Sequence, residues 1–425
     1  MITEVQVNEH IKKFCTFFVS NIAISKDNKY AGFILDLDRT EKEKRFAIGG
    51  TSLGLLFSSY NEIGVIDNHY KEKMYNFIIS KQLETGNWTI SSLSKYNESL
   101  IYTTCFAIQS LIRFNQNSNT KCENYISKGI KWLVDNVNND GGWGLTPSMT
   151  SHIHSTSEAI FTLNIAKNFC KLNLDSIIED GINWLLKYKK ENIWENENKK
   201  KDIFFTALAY RAIITSNNIC FINKLEETKD ELINSFNSAK CHKQKVYYIT
   251  VGDGEEHIQE LIGAHEKAMI FNALSYLKDI HIKSVLENQV EYFLNEQTNT
   301  GYWTCKNNEN QKAPIFLNTE IIIGLINFKN FFLNNTLKGK SINNNNTICK
   351  KLDNKLYLNI AILLILIGVF CSINFIINNI DTQFLSKIIK FINDKYEKYS
   401  GIANFLAIIS VIIAIIKFLI SKIKK

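Results

Sequence analysis

A tryptophan turn that recurs along the first three quarters of the chain constrains the fold more than any other feature. The segments QLETGNW, ending at Trp88, and QTNTGYW, ending at Trp303, share the pattern Q-x-x-x-G-x-W. Trp143, in DGGW, and Trp194, in ENIW, follow Trp88 at intervals of 55 and 51 residues, and the last interval, 109 residues to Trp303, is close to two periods. A fixed interval of this size is the signature of a repeated structural unit.

The interval also predicts degenerate turns where no tryptophan stands. One falls near residue 33, where Gly32 precedes Phe33, and one near residue 248, where Tyr247 and Tyr248 lie. The repeat therefore has six turns. In each turn we expect the Gln amide to bond carbonyls at the helix end, the Gly to adopt a left-handed cap and the Trp to cover the joint.

The sequence around each turn predicts a helical hairpin. An amphipathic helix such as SKGIKWLVDNV precedes the turn, and a more apolar helix rich in small residues, such as SEAIFTLNIA, follows it. The amphipathic helices fit an outer ring with one face in solvent, and the apolar helices fit an inner ring that is buried on all sides. The predicted fold class is therefore all-α, a six-hairpin (α/α)6 toroid.

Composition changes abruptly beyond this region and predicts three domains. Residues 1–335 form the toroid, 336–355 a polar linker containing SINNNNT, and 356–425 a transmembrane hairpin. Its two apolar stretches, Leu356–Ile377 and Ile402–Ile420, are each about 20 residues long, enough to cross about 30 Å of hydrocarbon as helices. Buried core helices are the alternative, but stretches that are apolar on every face favour spanning.

The charge distribution predicts the location and partners of the chain. Lysines flank both ends of the apolar hairpin, so both ends and the toroid are placed in the cytoplasm, at the inner membrane, with membrane lipid as a partner. The first residues lack the apolar stretch of a signal peptide. The net charge of +7 comes from scattered lysines, which argues against a nucleic-acid partner. Homo-oligomers are expected to form through the transmembrane helices.

The Q-x-x-x-G-x-W turns, the DGGW turn and the inner-helix pattern resemble the prenyltransferase and squalene–hopene cyclase repeat. The resemblance covers roughly residues 5–335. It implies a toroid with a central cavity that is often apolar and holds isoprenoid chains. It also implies that chemistry gathers where the inner helices begin, on one rim of the cavity. Six-hairpin toroids also occur among glycosidases, so the fold alone does not give the activity.

Class II terpene cyclases carry an Asp-x-Asp-Asp run at this rim, whose middle aspartate protonates an alkene or epoxide. No inner helix here begins with that run, so this cyclisation is not supported. Two histidines at equivalent positions could act as acid and base near neutral pH. The predicted catalytic residues are His154, His265, Asp202 and Glu266. The predicted ligand-binding residues are Tyr102, Thr103, His152, Glu158, Asn318 and Glu320.

The resemblance also raises the question of zinc, which protein prenyltransferases bind through an Asp, a Cys and a His. No Asp-x-Cys pair stands at the expected place, and the separations of His154, Asp202, Cys241 and His265 carry no ligand pattern. The alternative to a metal-binding role is that Asp202 and Ser155 cap the N-termini of helices. No metal site is predicted and no cofactor is assigned. The long irregular segment Lys240–Gln259 is predicted to be a loop that could cover the cavity mouth.

These features indicate two possible functions and argue against a third. The first is a membrane-anchored toroid that binds or processes an isoprenoid or other hydrophobic ligand in its central cavity. The alternative is a non-catalytic membrane effector of the bacterial antiphage-defence type, in which the toroid senses a ligand or partner and the hairpin oligomerises to disrupt the membrane. A six-hairpin glycosidase would need a facing pair of carboxylates, and the tryptophan turns argue against it.

Overall fold

The computed structural model describes residues 2–33, 46–60, 66–90, 98–118, 122–170, 173–196, 198–239, 243–251, 256–304 and 313–333. The chain divides into two units, Met1–Gly339 and Lys340–Lys425, and every described residue belongs to the first. Its helices, in chain order, are α1 (Glu4–Ser20), α2 (Ile48–Ser58), α3 (Asn68–Ser80), α4 (Ile101–Gln116), α5 (Glu123–Asp135), α6 (Ile153–Cys170), α7 (Asp175–Lys187), α8 (Ile203–Ile214), α9 (Ile219–Ile222), α10 (Glu226–Ser235), α11 (Glu266–Ser275), α12 (Lys283–Glu296) and α13 (Ile315–Phe328).

Short elements complete this unit. Two 3-10 turns cover Asn223–Leu225 and Ile280–Ile282, and a π-helical turn, Lys329–Leu333, extends α13. The strands pair only with their neighbours in sequence, as three antiparallel hairpins. They are β1 (Ala23–Ile24) with β2 (Ala31–Gly32), β3 (Lys189–Lys190) with β4 (Ile193–Trp194), and β5 (Lys243–Val251) with β6 (Glu256–Ala264).

Six helices form a closed inner ring. Helix α2 packs on α4, α4 on α6, α6 on α8, α8 on α11, α11 on α13, and α13 returns to α2. Outer helices bridge neighbouring inner ones: α3 contacts α2 and α4, α5 contacts α4 and α6, α7 contacts α6 and α8, α10 contacts α8 and α11, and α12 contacts α11 and α13, while α1 contacts α13. The predicted all-α toroid is confirmed.

Burial explains why the two rings differ in sequence. Helix α4 lies between two inner neighbours and the outer ring, so every residue from Ile101 to Ile112 is buried. Helix α5 packs on one side only, and its buried residues Ile126, Gly129, Ile130 and Leu133 recur at helical spacing. The inner helices run parallel. The first turns of neighbouring inner helices contact each other, as in the Tyr102–His154 ring pair at 5.0 Å. Their last turns also contact each other, as where Asn327 donates to the Ser275 hydroxyl at 3.0 Å.

Each predicted tryptophan turn is held by the same pair of contacts. The Trp88 indole Nε1 donates to the carbonyl of Ile78 at 2.8 Å, near the end of the preceding outer helix. The Trp88 backbone N–H donates to the Thr104 hydroxyl at 3.1 Å, in the first turn of the following inner helix. Both contacts recur at the later tryptophans, namely Trp143 with Leu133 and Thr156, Trp194 with Leu185 and Thr206, and Trp303 with Phe293 and Asn318. The turn thus joins one outer helix to one inner helix.

The degenerate turn near residue 33 is confirmed. The Phe33 backbone N–H donates to the Thr51 hydroxyl at 3.1 Å, as in the tryptophan turns, and the phenyl ring is buried. The prediction of a degenerate turn near residue 248 is wrong. Strands β5 and β6 pair there from Lys243 with Ala264 to Val251 with Glu256. The loop predicted for Lys240–Gln259 is wrong for the same reason: most of it belongs to this long hairpin, which leads directly into α11.

The glutamine and glycine of the motif tie neighbouring repeats together instead of capping their own helix. Gln82 Nε2 donates to the carbonyls of Gly86, at 2.7 Å, and of Tyr125 in the next outer helix, at 2.8 Å. Gly86 has φ +101°, which L side chains rarely adopt. A Cβ there would lie 2.4 Å from the Lys128 carbonyl oxygen of that same helix. Glycine is therefore required by both the turn and the close approach.

Among the residues that the structure covers, one helical run is long and apolar enough to cross a membrane. It is Ile315–Leu333, 72% of which is buried within the protein. Because α13 belongs to the inner ring, its apolar surface is accounted for by packing against α11 and α2. The two predicted spans, 356–377 and 402–420, lie outside the described residues and stay predictions.

Candidate functional site at the toroid axis

The side chains that face the toroid axis occupy equivalent positions in the inner helices. The reference position is the inner-helix residue whose side chain accepts a hydrogen bond from the backbone N–H of the turn aromatic. These residues are Thr51, Thr104, Thr156, Thr206 and Asn318. In the helices that carry such a reference, most residues that line the two axial cavities fall two before it or two, five or nine after it. The exceptions are Thr319, one after its reference, and Ile112 and Gln116, eight and twelve after theirs. Steps of four, three and four residues keep them on one face of a helix.

The layer at the helix starts is a rim of aromatic side chains. It contains Tyr102, His154, Phe204, His265 and Phe316. The His154 ring lies 5.0 Å from Tyr102 and 6.1 Å from Phe204, centroid to centroid, and both His154 and His265 are buried. Beneath this rim lies a cavity of only about 10 Å³. That volume holds about one water molecule, so the rim is closed to a larger ligand in this structure.

A charged cluster lies directly below the rim. The Arg211 Nη2 of α8 donates to Glu158 Oε1 of α6 at 2.5 Å, and its Nη1 lies 3.2 Å from Glu320 Oε2 of α13 and 3.3 Å from Asn272 Oδ1 of α11. The amide of Gln109, on α4, donates to Glu158 Oε2 at 3.3 Å. Five of the six inner helices thus contribute to one polar cluster at the axis.

Burial and charge determine the protonation of this cluster. The side chains of Arg211 and Glu158 are 5% and 3% exposed, and that of Glu320 is 14% exposed. Burial opposes the charge of Arg211, but Glu158 and Glu320 outweigh it, so its pKa is raised. Burial, with a contribution from Glu158 and against the effect of Arg211, raises the pKa of Glu320 to about 7. One carboxyl group on the axis therefore titrates near neutral pH.

A larger cavity lies on the far side of the cluster, toward the ends of the inner helices. Its volume is about 120 Å³. The walls are apolar and aromatic: Leu53, Leu56, Phe106, Ile112, Phe161, Ile165 and Ile323, with Tyr60 and Tyr276 near the helix ends. The polar lining residues are Gln109, Arg113, Gln116, Arg211, Thr319 and Glu320. Apolar walls with a few convergent polar groups are typical of small-molecule sites.

The structure brings together four residues that were predicted to form the site. His154, His265, Glu158 and Glu320 line the small cavity under the rim, and Glu320 also lines the larger one. Tyr102 belongs to the rim above them. The shared place of the two histidines in the repeat accounts for their convergence.

Other predicted site residues are engaged in the fold. Asp202 caps α8, since its carboxylate accepts from the Phe205 backbone N–H at 3.1 Å. The Asn318 side chain contacts the Trp303 backbone N–H at 2.9 Å and its carbonyl at 3.0 Å, as the threonines do in other repeats. The structure thus gives both residues a structural role where catalysis and ligand binding were predicted.

Three further predicted residues lie off the axial stripe. The His152 Nδ1 accepts from the His154 backbone N–H at 3.2 Å, and its ring packs edge-on against Phe205. Thr103 and Glu266 are buried, and each directly follows a residue of the aromatic rim, Tyr102 and His265 respectively, so they are displaced from the face that lines the cavities. Within the described part of the chain, no three His, Cys, Asp or Glu side chains are grouped as a metal site requires.

Arg211, Gln109 and Arg113 were not predicted as site residues, because they lie beyond the starts of the inner helices, where the resembled family has its chemistry. Arg211 is the one charged residue in the apolar helix FFTALAYRAII. A charge in a helix that is apolar on every face is almost never buried without a partner. That argument predicts a paired, axis-facing arginine, although it cannot name its partners.

Comparison with known proteins places this geometry in a fold group. The squalene-hopene cyclase C-terminal domain family matches residues 53–212, from α2 to α8. A segment of 126 residues is 24% identical to the geranylgeranyl transferase type-2 subunit beta of Saccharomyces cerevisiae, covering 30% of this chain and 37% of the yeast protein. The chain therefore spans well under half of this relative's length.

Solved structures share the toroid at low sequence identity. An alpha-amylase from Clostridium perfringens is 12% identical with a TM-score of 0.54, covering 76% of this chain and 98% of its own. The cellobiose 2-epimerase from Spirochaeta thermophila is 10% identical with a TM-score of 0.54, covering 77% and 97%. The described unit is a terpenoid cyclase-like α-toroid. Since these proteins carry different activities on one fold, the activity of this chain must be argued from its own site.

The carboxylate pair that a glycosidase would need is sterically closed here. Glu158 and Glu320 both face the axis, but Arg211 bridges them and the rim cavity above them holds about one water molecule. A glycosidase must place a sugar between its two carboxyl groups. The geometry therefore does not support glycoside hydrolysis at this pair.

Proposed function

We propose that this chain is a membrane-anchored toroid that binds an isoprenoid or other hydrophobic ligand in its axial cavity. The observation that carries the proposal is the cavity of about 120 Å³ whose apolar walls close on the Arg211–Glu320 cluster. A dry cavity of roughly 150 Å³ holds a benzene ring. The axial cavity therefore suits about one isoprene unit, and a longer chain would leave past Tyr60 and Tyr276.

The membrane anchor predicted from the sequence supports the same proposal. The apolar stretches 356–377 and 402–420 are long enough to span a bilayer, and they would hold the toroid where hydrophobic ligands are concentrated. The partial matches to cyclase and transferase sequences are consistent with a toroid adapted to isoprenoid ligands.

The test is to purify the full chain from membranes and identify its bound small molecules by native mass spectrometry and lipid extraction. Leu56→Phe and Ile323→Phe fill the cavity and should reduce the bound species at least fivefold. Ile219→Phe adds the same ring at a site that is 54% exposed and should leave binding unchanged. An empty wild-type protein, or equal occupancy in all three variants, would overturn the proposal.

The closed aromatic rim favours the membrane effector as a second candidate. The rim stands where the resembled enzymes place their chemistry, yet His154, Tyr102 and Phe204 fill it. A toroid that only senses a ligand does not need an open rim. The polar cluster contacts five inner helices, so a ligand that alters the cluster would affect all five. This candidate predicts a higher oligomer that leaks ions from liposomes, with leakage dependent on the apolar hairpin. A tight membrane at all protein concentrations would exclude it.

A further inference from the structure

The larger axial cavity presents hydrogen-bond donors that have no acceptor within the described structure. The Nε of Arg211 and the Oγ1 of Thr319 are both buried, and neither has a partner there. Both residues line the cavity of about 120 Å³ and are at most 4% exposed. Leaving such a group unsatisfied costs about 1–3 kcal/mol. A ligand that satisfies both groups is therefore selected over one that only fills the space.

The chemistry of these atoms determines what the ligand must present. A guanidinium Nε–H can only donate, and a threonine hydroxyl can donate while it rotates to suit its partner. The missing partner of Arg211 is therefore an acceptor, such as a carbonyl or carboxylate oxygen. A purely hydrocarbon ligand would leave the donors as they are.

The charges that line the cavity favour an anionic acceptor. Arg211 faces two carboxyl groups, Glu158 and Glu320, and burial raises the pKa of Glu320 to about 7. When Glu320 is protonated, Glu158 alone balances the charge of Arg211, and the cluster does not repel an anion. Arg113 lies near the end of α4, stacks on the Tyr60 ring at 4.0 Å and forms no ion pair with any described residue. A half-buried cation without a counter-ion attracts an anion more strongly than it would in open water.

We propose that this cavity binds a small apolar carboxylate, whose oxygens accept hydrogen bonds from Arg211 Nε and Thr319 Oγ1 while Arg113 attracts its charge. The inference rests on the proposed binding function and specifies the chemistry of the ligand. The ligand's hydrocarbon part contacts Leu53, Phe161 and Ile323. No bond is made or broken in this step.

The experiment uses the full chain in detergent and three probes of nearly equal size, namely benzoate, toluene and benzylamine. Binding is measured by calorimetry and by ligand-observed NMR. Benzoate should bind at least tenfold more tightly than toluene, and benzylamine should not bind detectably. Toluene binding as tightly as benzoate would overturn the proposal, as would the binding of benzylamine in preference.

Matched variants locate the interaction. Thr319→Val removes the hydroxyl with little change in volume and should weaken benzoate about 3- to 10-fold, leaving toluene unchanged. Thr228→Val is the control, because Thr228 is also fully buried with an unpartnered hydroxyl but does not line the cavity. Arg113→Gln should weaken benzoate and reduce the dependence of its affinity on salt. Equal effects of the two valine variants would overturn the assignment.

The two proposals fail in distinguishable ways. A chain that co-purifies with a neutral lipid but does not bind benzoate retains the proposed function and loses this inference. A chain that binds benzoate at this cavity but carries no lipid retains the inference and loses the isoprenoid ligand. A chain that binds neither loses both.

Discussion

Removal of Arg211 should expose the electrostatic balance at the toroid axis. Arg211→Met keeps much of the side-chain volume but leaves Glu158 and Glu320 facing each other with exposures of 3% and 14%. Breaking a buried ion pair by removing one partner costs about 3–5 kcal/mol. We expect that loss near pH 8, where both carboxyl groups would be forced to ionise without a counter-charge.

The loss of stability caused by Arg211→Met should be smaller at acidic pH. The direction of this pH dependence follows from the linkage between folding and protonation. Burial already raises the pKa of Glu320 to about 7, and without Arg211, which lowers it, the pKa of Glu320 rises further above its unfolded value. The folded state then keeps its stability below the unfolded pKa and loses it as pH rises through the folded values. Near pH 5 Glu320 is largely protonated, so the repulsion between the two carboxyl groups is relieved and mainly lost packing and hydrogen bonds remain, about 1–2 kcal/mol.

The assay is thermal unfolding of the full chain at pH 5 and pH 8. At about 2 °C per kcal/mol for a unit of this size, Arg211→Met should lower Tm by roughly 6–10 °C at pH 8 and by roughly 2–4 °C at pH 5. The triple variant Glu158→Gln, Arg211→Met, Glu320→Gln should recover more than half of the loss at pH 8. Arg113→Met is the control, since Arg113 has no ion pair among the described residues, and its change in Tm relative to the wild type should be the same at both pH values. Equal losses at both pH values, or a triple variant no better than the single, would refute the reasoning.

Three further predictions concern single positions, each measured by chemical denaturation of the full chain. Glu320→Gln should remove a pH-dependent loss of stability of about 3 kcal/mol. Because the pKa of Glu320 is raised from 4.5 to about 7 in the folded state, its contribution to stability is fully present below pH 4.5 and is lost as the pH rises to 7. An unchanged pH profile of stability would contradict this. Gly86→Ala should cost at least about 2 kcal/mol from the positive φ and the Lys128 carbonyl, whereas Gly49→Ala, where the methyl meets nothing within 4 Å, should be neutral or stabilising; similar effects would refute the close approach. Thr104→Val should cost about 1–3 kcal/mol by leaving the Trp88 N–H without its acceptor, and no measurable loss would show that the turn does not depend on this contact.

The hairpin architecture could be predicted from the sequence because its determinants are local. The Trp88 indole reaches a carbonyl ten residues earlier, and its backbone reaches a threonine sixteen residues later. Contacts of this range recur with each repeat, so the period of the tryptophans records them directly. The degenerate turn at Phe33 was found in the same way. The prediction of the fifth turn failed because β5 and β6 pair there, and no tryptophan marks that segment.

The site depended on contacts that no local pattern encodes. Arg211 meets Glu158 across 53 residues and Glu320 across 109, because ring closure brings α6, α8 and α13 to one axis. Sequence reasoning reached the rim residues His154 and His265 through their equivalent places in the repeat, but it could not show that aromatic rings close that rim.

The sequence alone therefore determined the repeated helical hairpin, the alternation of amphipathic and apolar helices, and the expectation of a toroid, since each follows from periodicity and short-range bonding. The tertiary structure alone decided which side chains meet at the axis. It decided between the helix-cap and catalytic roles that the sequence left open for Asp202, gave Asn318 a role in turn stability, assembled the Arg211 cluster, and opened the cavity at the helix ends. The physical reason is that a helix fixes only which residues share a face, whereas closure of the ring decides what that face meets.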